Sequence, residues 1–223
     1  MTERPKTIAI DGTFASGKGT LAKRLATHYG LAYMDTGKLY RATAKATLDA
    51  GGDPDIAGDA AIAAKTLEGG ALDEKLSDPI LKSGPIGAAA SKVAVHPEVR
   101  AALLDLQRDF AAKGAVLDGR DIGTVICPNA DVKLYVDAKP EIRAERRHKE
   151  LVGYGEEISF ETDLAQLNER DARDMSRKDA PLKPADDAHY LDSSYLSIDE
   201  AFDGACRIID AVMAGKFETP PKN

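Results

Sequence analysis

Short apolar runs alternate along the chain with longer stretches whose apolar residues recur every three or four positions. The runs fall at 7–10, 31–34, 115–117, 132–136 and 189–191, each dense and bounded by polar residues or glycine. Such runs suit strands covered on both faces, and their alternation with helical patterns predicts βα units around a central parallel sheet of five strands. Helices are expected at 18–29, 38–50, 97–113, 140–151, 160–177 and 198–214. Gly30, Gly51, Gly114 and Gly215 stand just past the ends of helices, where a left-handed cap favours glycine.

Two stretches break this rhythm. Between Gly51 and Pro97 the chain turns to alanine, glycine and aspartate with Pro54, Pro79 and Pro85 as breakers, which predicts an insertion on the core. From 143 to 180 it is rich in charge and carries Gly153-Tyr154-Gly155 between two helical patterns. That composition fits a mobile helical flap or a plain solvated hairpin. The tail from Lys216 through Pro220-Pro221 to Asn223 is expected to fray.

With 223 residues, 43% of them hydrophobic, the chain can bury the core of one α/β domain. A net charge of −7 argues against a broad nucleic-acid or anionic-membrane surface and leaves small anions as partners. Met1-Thr2-Glu3-Arg4-Pro5-Lys6 leads straight into the first strand, and no stretch suits a signal peptide or membrane span, so a cytoplasmic location is expected. Cys127 and Cys206 lie far apart without a CxxC pattern and are expected to pack rather than to bridge or bind metal. His28, His96, His148 and His189 show no ligand or catalytic spacing.

The first strand runs into Gly12-Thr13-Phe14-Ala15-Ser16-Gly17-Lys18-Gly19-Thr20 and then into a helix. Strand, glycine-rich loop and helix make a P-loop: backbone N–H groups wrap phosphates, the helix dipole points at them, and the lysine reaches the β and γ groups. Gly19 intervenes before Thr20, where the general motif has Ser or Thr directly after the lysine. A nucleotide triphosphate is the expected ligand.

The second strand ends Met34-Asp35-Thr36-Gly37, and carboxyl ends of parallel strands are where ligands bind. Thr36 could cap the next helix, and Arg41 lies one turn in, where it either holds a phosphate or simply faces solvent. The third strand ends Asp118-Gly119-Arg120-Asp121, with Asp118 in the position of a Walker-B acid able to orient water around Mg²⁺. Arg120 and Asp121 could pair with each other or with neighbours, but adjacent residues usually point apart, so separate ligand contacts are expected. Arg170, Asp174 and Arg177 form one helical stripe with Arg173 beside it, and Arg143, Arg146 and Arg147 repeat the theme one helix earlier. No general base stands out near the loop, as phosphorylation of an alcohol would need. A phosphate monoester, largely dianionic above its second pKa of about 6, needs none.

These blocks resemble the bacterial cytidylate kinases, ATP-dependent CMP/dCMP kinases of the P-loop nucleoside monophosphate kinase class. The likeness runs nearly end to end through Gly12–Thr20, Asp35–Arg41, Asp118–Thr124 and Glu169–Arg177, with Ala180-Pro181-Leu182 and Leu191-Asp192-Ser193-Ser194 following in order. It implies a single domain with the P-loop NTPase three-layer fold. The core would take 5–50, 97–142 and 178–215, the NMP-binding insertion about 38–110 and a helical lid about 143–177. ATP would bind at Gly12, Thr13, Phe14, Ala15, Ser16, Gly17, Lys18, Gly19, Thr20 and Arg147, with Mg²⁺ near Thr20, Asp35 and Asp118. Thr36, Tyr40, Arg41 and Arg120 would surround the acceptor phosphate of CMP, with Arg170 arriving from the lid side, and Asp35 would also belong to the CMP site. Ser91 and Arg108 would meet the cytosine edge, and Asp121, Asp174 and Arg177 would hold base and ribose. Lys18, Arg120 and Arg170 would carry catalysis. The partners implied are ATP, CMP and dCMP, with no nucleic acid and no membrane, acting on a monomer.

The chain departs from the family pattern at Phe14 and Ala15, where small residues or glycine are usual, at Thr36, where serine is common, and at Leu81-Lys82-Ser83, where Leu-Arg-Thr is usual. The insertion also looks shorter than the long bacterial form. A UMP or AMP kinase would share every phosphate contact and differ only at the base pocket. A nucleotide-dependent switch would not need arginine groups converging on a second phosphate. An RNA-associated NTPase is disfavoured by the acidic charge and the lack of aromatic platforms.

Overall fold

β1 (Thr7–Gly12) is buried along its whole length, and its side chains alternate between two cores: Ile8 and Ile10 enter one, Ala9 the other. In the computed structural model, which describes residues 6–67 and 72–216, β1 lies at the centre of a five-stranded parallel sheet. The other strands are β2 (Ala32–Asp35), β3 (Ala115–Gly119), β4 (Val132–Asp137) and β5 (His189–Asp192), in the order β2-β3-β1-β4-β5. All five expected strands are present. The frayed tail and the N-terminal lead-in expected from the sequence fall at 217–223 and 1–5, outside the described residues.

Helices cover both faces. Beneath α1 (Lys18–Tyr29) and α9 (Ile198–Met213) the core holds Leu21, Leu25, Val116, Leu134 and Ile209. Beneath α2 (Thr36–Asp49) and α6 (Pro97–Ala111) it holds Met34, Leu39, Leu103, Leu117 and Ile122. This is the expected three-layer fold. The cap glycines Gly30, Gly51, Gly114 and Gly215 all take left-handed φ, from 63° to 87°. Cys127 and Cys206 are free and half-buried at the margins of the two cores.

The irregular stretch after Gly51 is helical. It forms α3 (Ala57–Lys65), α4 (Leu72–Ser77), a 3₁₀ turn at Pro79–Lys82 and α5 (Gly84–Val93), with Leu81, Ala90 and Val93 buried in the α2–α6 core. Pro79 and Pro85 do not break helices here: each stands in a first turn, where a missing N–H is no loss. The charged excursion is a hairpin of α7 (Pro140–Gly153) and α8 (Phe160–Ser176), packed on each other. Among the described residues no helix is long and apolar enough to cross a membrane.

Register determines what meets at the carboxyl edge of the sheet. Asp35 pairs with Asp118, Asp11 with Gly119 and Gly12 with Val136. The chain leaves β1 toward one face through α1 and leaves β3 toward the other through a π-helical turn, Ile122–Ile126. Neighbouring strands whose connections diverge open a crevice at their carboxyl ends, the usual ligand position in such sheets.

Candidate active site

The loop after β1 is shaped by close packing. A Cβ on Gly12 would lie 1.9 Å from the Val136 carbonyl oxygen, so only glycine lets β1 pass β4 there. Gly17 takes φ 84° and starts α1 with no side-chain cap, leaving the helix's first N–H groups unpaired. Three of the loop's carbonyls are engaged by side chains. Arg143 Nη1 donates to Phe14 O at 3.0 Å, Ser193 Oγ to Ser16 O at 2.8 Å, and Lys18 Nζ to Thr13 O at 3.4 Å. Thr13 Oγ1 donates to Asp137 Oδ1 at 2.5 Å, anchoring the loop to β4. With these carbonyls satisfied within the protein, the N–H groups of the loop and of the first turn of α1 remain for an anion. Ala15 sits at φ 60°, a strained conformation for a residue with a Cβ.

A cavity of about 370 Å³ opens beside this loop. Phe14, Ala15, Gly17, Lys18, Gly19 and Thr20 line one end, and Asp35, Thr36, Tyr40 and Arg41 from β2 and α2 form its floor. Ser91, Arg120, Asp121, Arg147, Arg170, Asp174 and Arg177 complete it. The sequence-predicted residues are therefore brought together with few exceptions. Gly12, Thr13 and Ser16 shape the loop from behind, and Arg108 is elsewhere altogether.

Arg108 requires a correction. Its guanidinium donates to the Ile126 and Val125 carbonyls at 3.2 and 3.1 Å, away from the cavity. Helix α6 runs back toward the start of β3, so its carboxyl half lies at the wrong edge of the sheet. Arg100, eight residues earlier and so about 12 Å nearer the carboxyl edge, lines the cavity instead. It bonds Asp121 and lies over the Tyr40 ring at 5.5 Å. Thr36 also differs from expectation: the cap of α2 is Asp35, which accepts from Lys38 N at 3.3 Å, while Thr36 Oγ1 donates to Asp118 O at 2.8 Å.

Charge divides the cavity into two ends. At the base of α8, Arg120 Nε donates to Asp174 at 2.9 Å, and Arg177 lies 3.8 and 3.9 Å from Asp121 and Asp174. Arg120 and Asp121 thus point apart, as expected, but each is paired with neighbours in the protein, Arg120 with Asp174 and Asp121 with Arg100 and Arg177. Burial opposes the Asp174 charge, but Arg120, Arg170 and Arg177 outweigh it and hold the carboxyl below its usual range. Near the loop the balance is reversed. Burial and then Arg120 push the Lys18 ammonium down to about 8. Arg41 is lowered by burial and by Arg147, and Arg170 by burial and by Arg120, Arg41 and Arg147 despite Asp174. Buried donors at Arg170 Nε and Arg177 Nη2 have no hydrogen-bond partner, Nη2 standing 3.8 Å from Asp121. Like charges facing one another with spare donors form a receptor for a multiply charged anion, with guanidinium forks suited to phosphate.

The carboxylates on the opposite wall have the reverse problem. Burial and the neighbouring Asp35 raise Asp118 to about 6, while Tyr33 donates its hydroxyl to Asp118 Oδ2 at 2.8 Å. That oxygen lies against the loop, 3.3 Å from where a Gly19 Cβ would stand. Two carboxylates beside Thr20 at a phosphate loop suit Mg²⁺, which takes one or two carboxylates together with waters and substrate phosphates. No cluster of three or more His, Cys, Asp or Glu that could hold a metal unaided occurs among the described residues.

Behind the cavity, Asp11 is 4% exposed and accepts from Ile122 N and Gly123 N, both at 2.7 Å. It adjoins the phosphate loop and clamps the turn that follows Arg120 and Asp121. Burial pushes its carboxyl up to about 7. Periodicity marked Asp11 only as the end of a strand, and nothing in the sequence signalled this clamp.

Comparison with known proteins agrees with the geometry. A family model described as cytidylate kinase matches residues 8–211. A cytidylate kinase of Rhodopseudomonas palustris (strain ATCC BAA-98 / CGA009) is 55% identical over 211 residues, covering 94% of this chain and 98% of the relative. One of Caulobacter vibrioides (strain NA1000 / CB15N) is 54% identical over 209 residues, covering 93% and 96%. Among solved structures, an uncharacterized protein from Eubacterium ventriosum aligns over 93% of this chain and 99% of its own at a TM-score of 0.53 and 16% identity, a likeness of fold alone.

Proposed function

This chain belongs to the cytidylate kinase family, and from that premise we propose how its cavity performs the reaction. The enzyme transfers the γ-phosphoryl group of ATP to CMP or dCMP, giving CDP or dCDP and ADP. One observation carries the site assignment: the buried Lys18 of the phosphate loop and the arginines 41, 120, 147 and 170 converge on a single cavity. Two nucleotides bring enough negative charge to satisfy that convergence.

ATP phosphates lie along Gly12–Thr20, where loop and helix N–H groups receive them and Lys18 neutralises the transferred group. Arg147 adds charge from α7. The acceptor phosphate of CMP is held by Thr36, Arg41, Arg120 and Arg170 beside Tyr40 and Asp35. Base and ribose occupy the ion-paired end, where Ser91, Arg100, Asp121, Asp174 and Arg177 present fixed donors and acceptors. A wrong base leaves those groups unpaired, which is how such a pocket discriminates. Asp35, Asp118 and Thr20 would hold Mg²⁺ with ATP, which supplies neutralisation of the phosphate oxygens. Preformed arginines lower the cost of charge build-up without a general base. The core spans 5–50, 97–142 and 178–215, and closure of the insertion and of the 143–177 lid over both nucleotides excludes water. Action as a monomer in the cytoplasm is part of the same proposal.

The test is ADP formation from MgATP with CMP, dCMP, UMP, AMP, GMP and dTMP offered singly, beside a control with no acceptor. Turnover with CMP or dCMP that is lost in Lys18→Ala and collapses in Arg120→Ala is the expected result. Preference for AMP or UMP would keep the phosphate assignments and overturn those at the base end. Hydrolysis indifferent to acceptor would overturn both.

A further inference from the structure

Phe14 is a bulky ring in a loop otherwise built of small residues, and it lines the cavity. The Arg170 guanidinium carbon lies 4.0 Å from its ring centroid, and that of Arg147 5.6 Å. Both arginines come from the α7–α8 hairpin. Few hydrogen bonds orient Arg170: Nη1 donates to Gly87 O at 3.2 Å, and the buried Nε has no hydrogen-bond partner. The backbone of Phe14 is tied to the same hairpin, since its carbonyl accepts from Arg143, which also bonds Asp171 at 2.6 Å.

We propose that Phe14 is a positioning residue, whose ring seats the Arg170 guanidinium over the phosphate loop. Stacking uses the flat face of a guanidinium and leaves its N–H edge free, so a ring platform orients the group without competing for phosphate. A hydrogen-bonding side chain in the same place would consume the donors it was meant to present. Attraction between ring face and cation is strongest where water is excluded, and this arginine is half-buried with its Nε fully covered. The platform also offsets the repulsion that Arg41, Arg120 and Arg147 exert on Arg170. The inference rests on the assignment of Arg170 to the transferred or acceptor phosphate.

Steady-state kinetics of Phe14→Ala, Phe14→Leu, Phe14→Tyr, Arg170→Ala and the Phe14→Ala/Arg170→Ala double variant test it, with thermal unfolding of each as the fold control. Phe14→Ala and Phe14→Leu should each lower kcat about 5–10-fold with KM for either nucleotide nearly unchanged, and Phe14→Tyr should stay within about 2-fold of the parent. In the Arg170→Ala background, removing the ring should change nothing further. Loss in Arg170→Ala with full activity in Phe14→Leu would overturn the proposal alone, as would effects that multiply in the double variant. Full activity in Arg170→Ala would overturn the assignment of that arginine and the proposal with it.

Discussion

The two ends of the cavity solve opposite electrostatic problems with the same residue types. At the phosphate loop, Lys18, Arg41 and Arg170 stand with too few counter-charges, and burial together with mutual repulsion disfavours the charge on each, while Arg147 beside them is paired with Glu150. At the base end, Arg100 and Arg177 are matched to Asp121 and Asp174 within the protein, and Arg120 reaches Asp174 from between the two ends. A surplus of charge attracts an ion and holds it by neutralisation. A balanced set is rigid, and recognises shape and hydrogen-bond pattern instead.

Substitutions at the two ends should therefore fail differently. Lys18→Ala should have the largest effect, a fall of about 10³-fold in kcat with the ranking of acceptors unchanged, measured across the nucleoside monophosphates. Arg100→Ala should raise KM for CMP about 10–100-fold and erode discrimination against UMP while leaving KM for ATP alone, because Asp121 loses a buried partner. Equal losses for all acceptors in Arg100→Ala would erase the distinction between the ends.

A pH profile sharpens it. The Lys18 ammonium is lowered to about 8, so it is charged below that pH and neutral above it. In the free enzyme kcat/KM for ATP should fall about tenfold per unit above pH 8, and Lys18→Arg should abolish that limb. Asp11, which serves both ends, should affect stability rather than chemistry. Its folded-state proton is held up to about pH 7 against 3.8 for an unperturbed carboxyl, so the stabilisation due to protonation is present at low pH and lost as pH rises from 3.8 through 7. Asp11→Asn should remove that slope in urea unfolding and cost about 1–3 kcal/mol, because one clamped N–H then meets an amide donor. The smallest effect is expected at Ala15, where glycine should gain about 0.5 kcal/mol, relief of about 1–2 kcal/mol of left-handed strain less the added chain entropy.

What could be read from the sequence followed local signals. The strands, the phosphate loop and the cap glycines announce themselves through short-range pattern, and the Arg170–Asp174–Arg177 stripe through helical spacing. The insertion resisted because alanine and glycine give helices such as α3 little contrast between buried and exposed faces, and because Pro79 and Pro85 start turns as readily as they stop them. Arg108 and Arg100 share one helix. Choosing between them needed the direction of α6 relative to the sheet, a tertiary fact with no local trace. The Asp11 clamp, spanning β1 and residues more than a hundred positions later, was hidden for the same reason.

The insertion and the α7–α8 hairpin touch across the cavity mouth. Arg173 donates to Ser91 Oγ at 3.0 Å, Arg170 to Gly87 O at 3.2 Å, and Gly84 N to Glu156 Oε1 at 2.9 Å. Each nucleotide that draws one of these elements inward therefore finds the other already partly in place. Thermodynamic linkage then demands reciprocity: the factor by which CMP tightens ATP must equal the factor by which ATP tightens CMP, whichever of them arrives first.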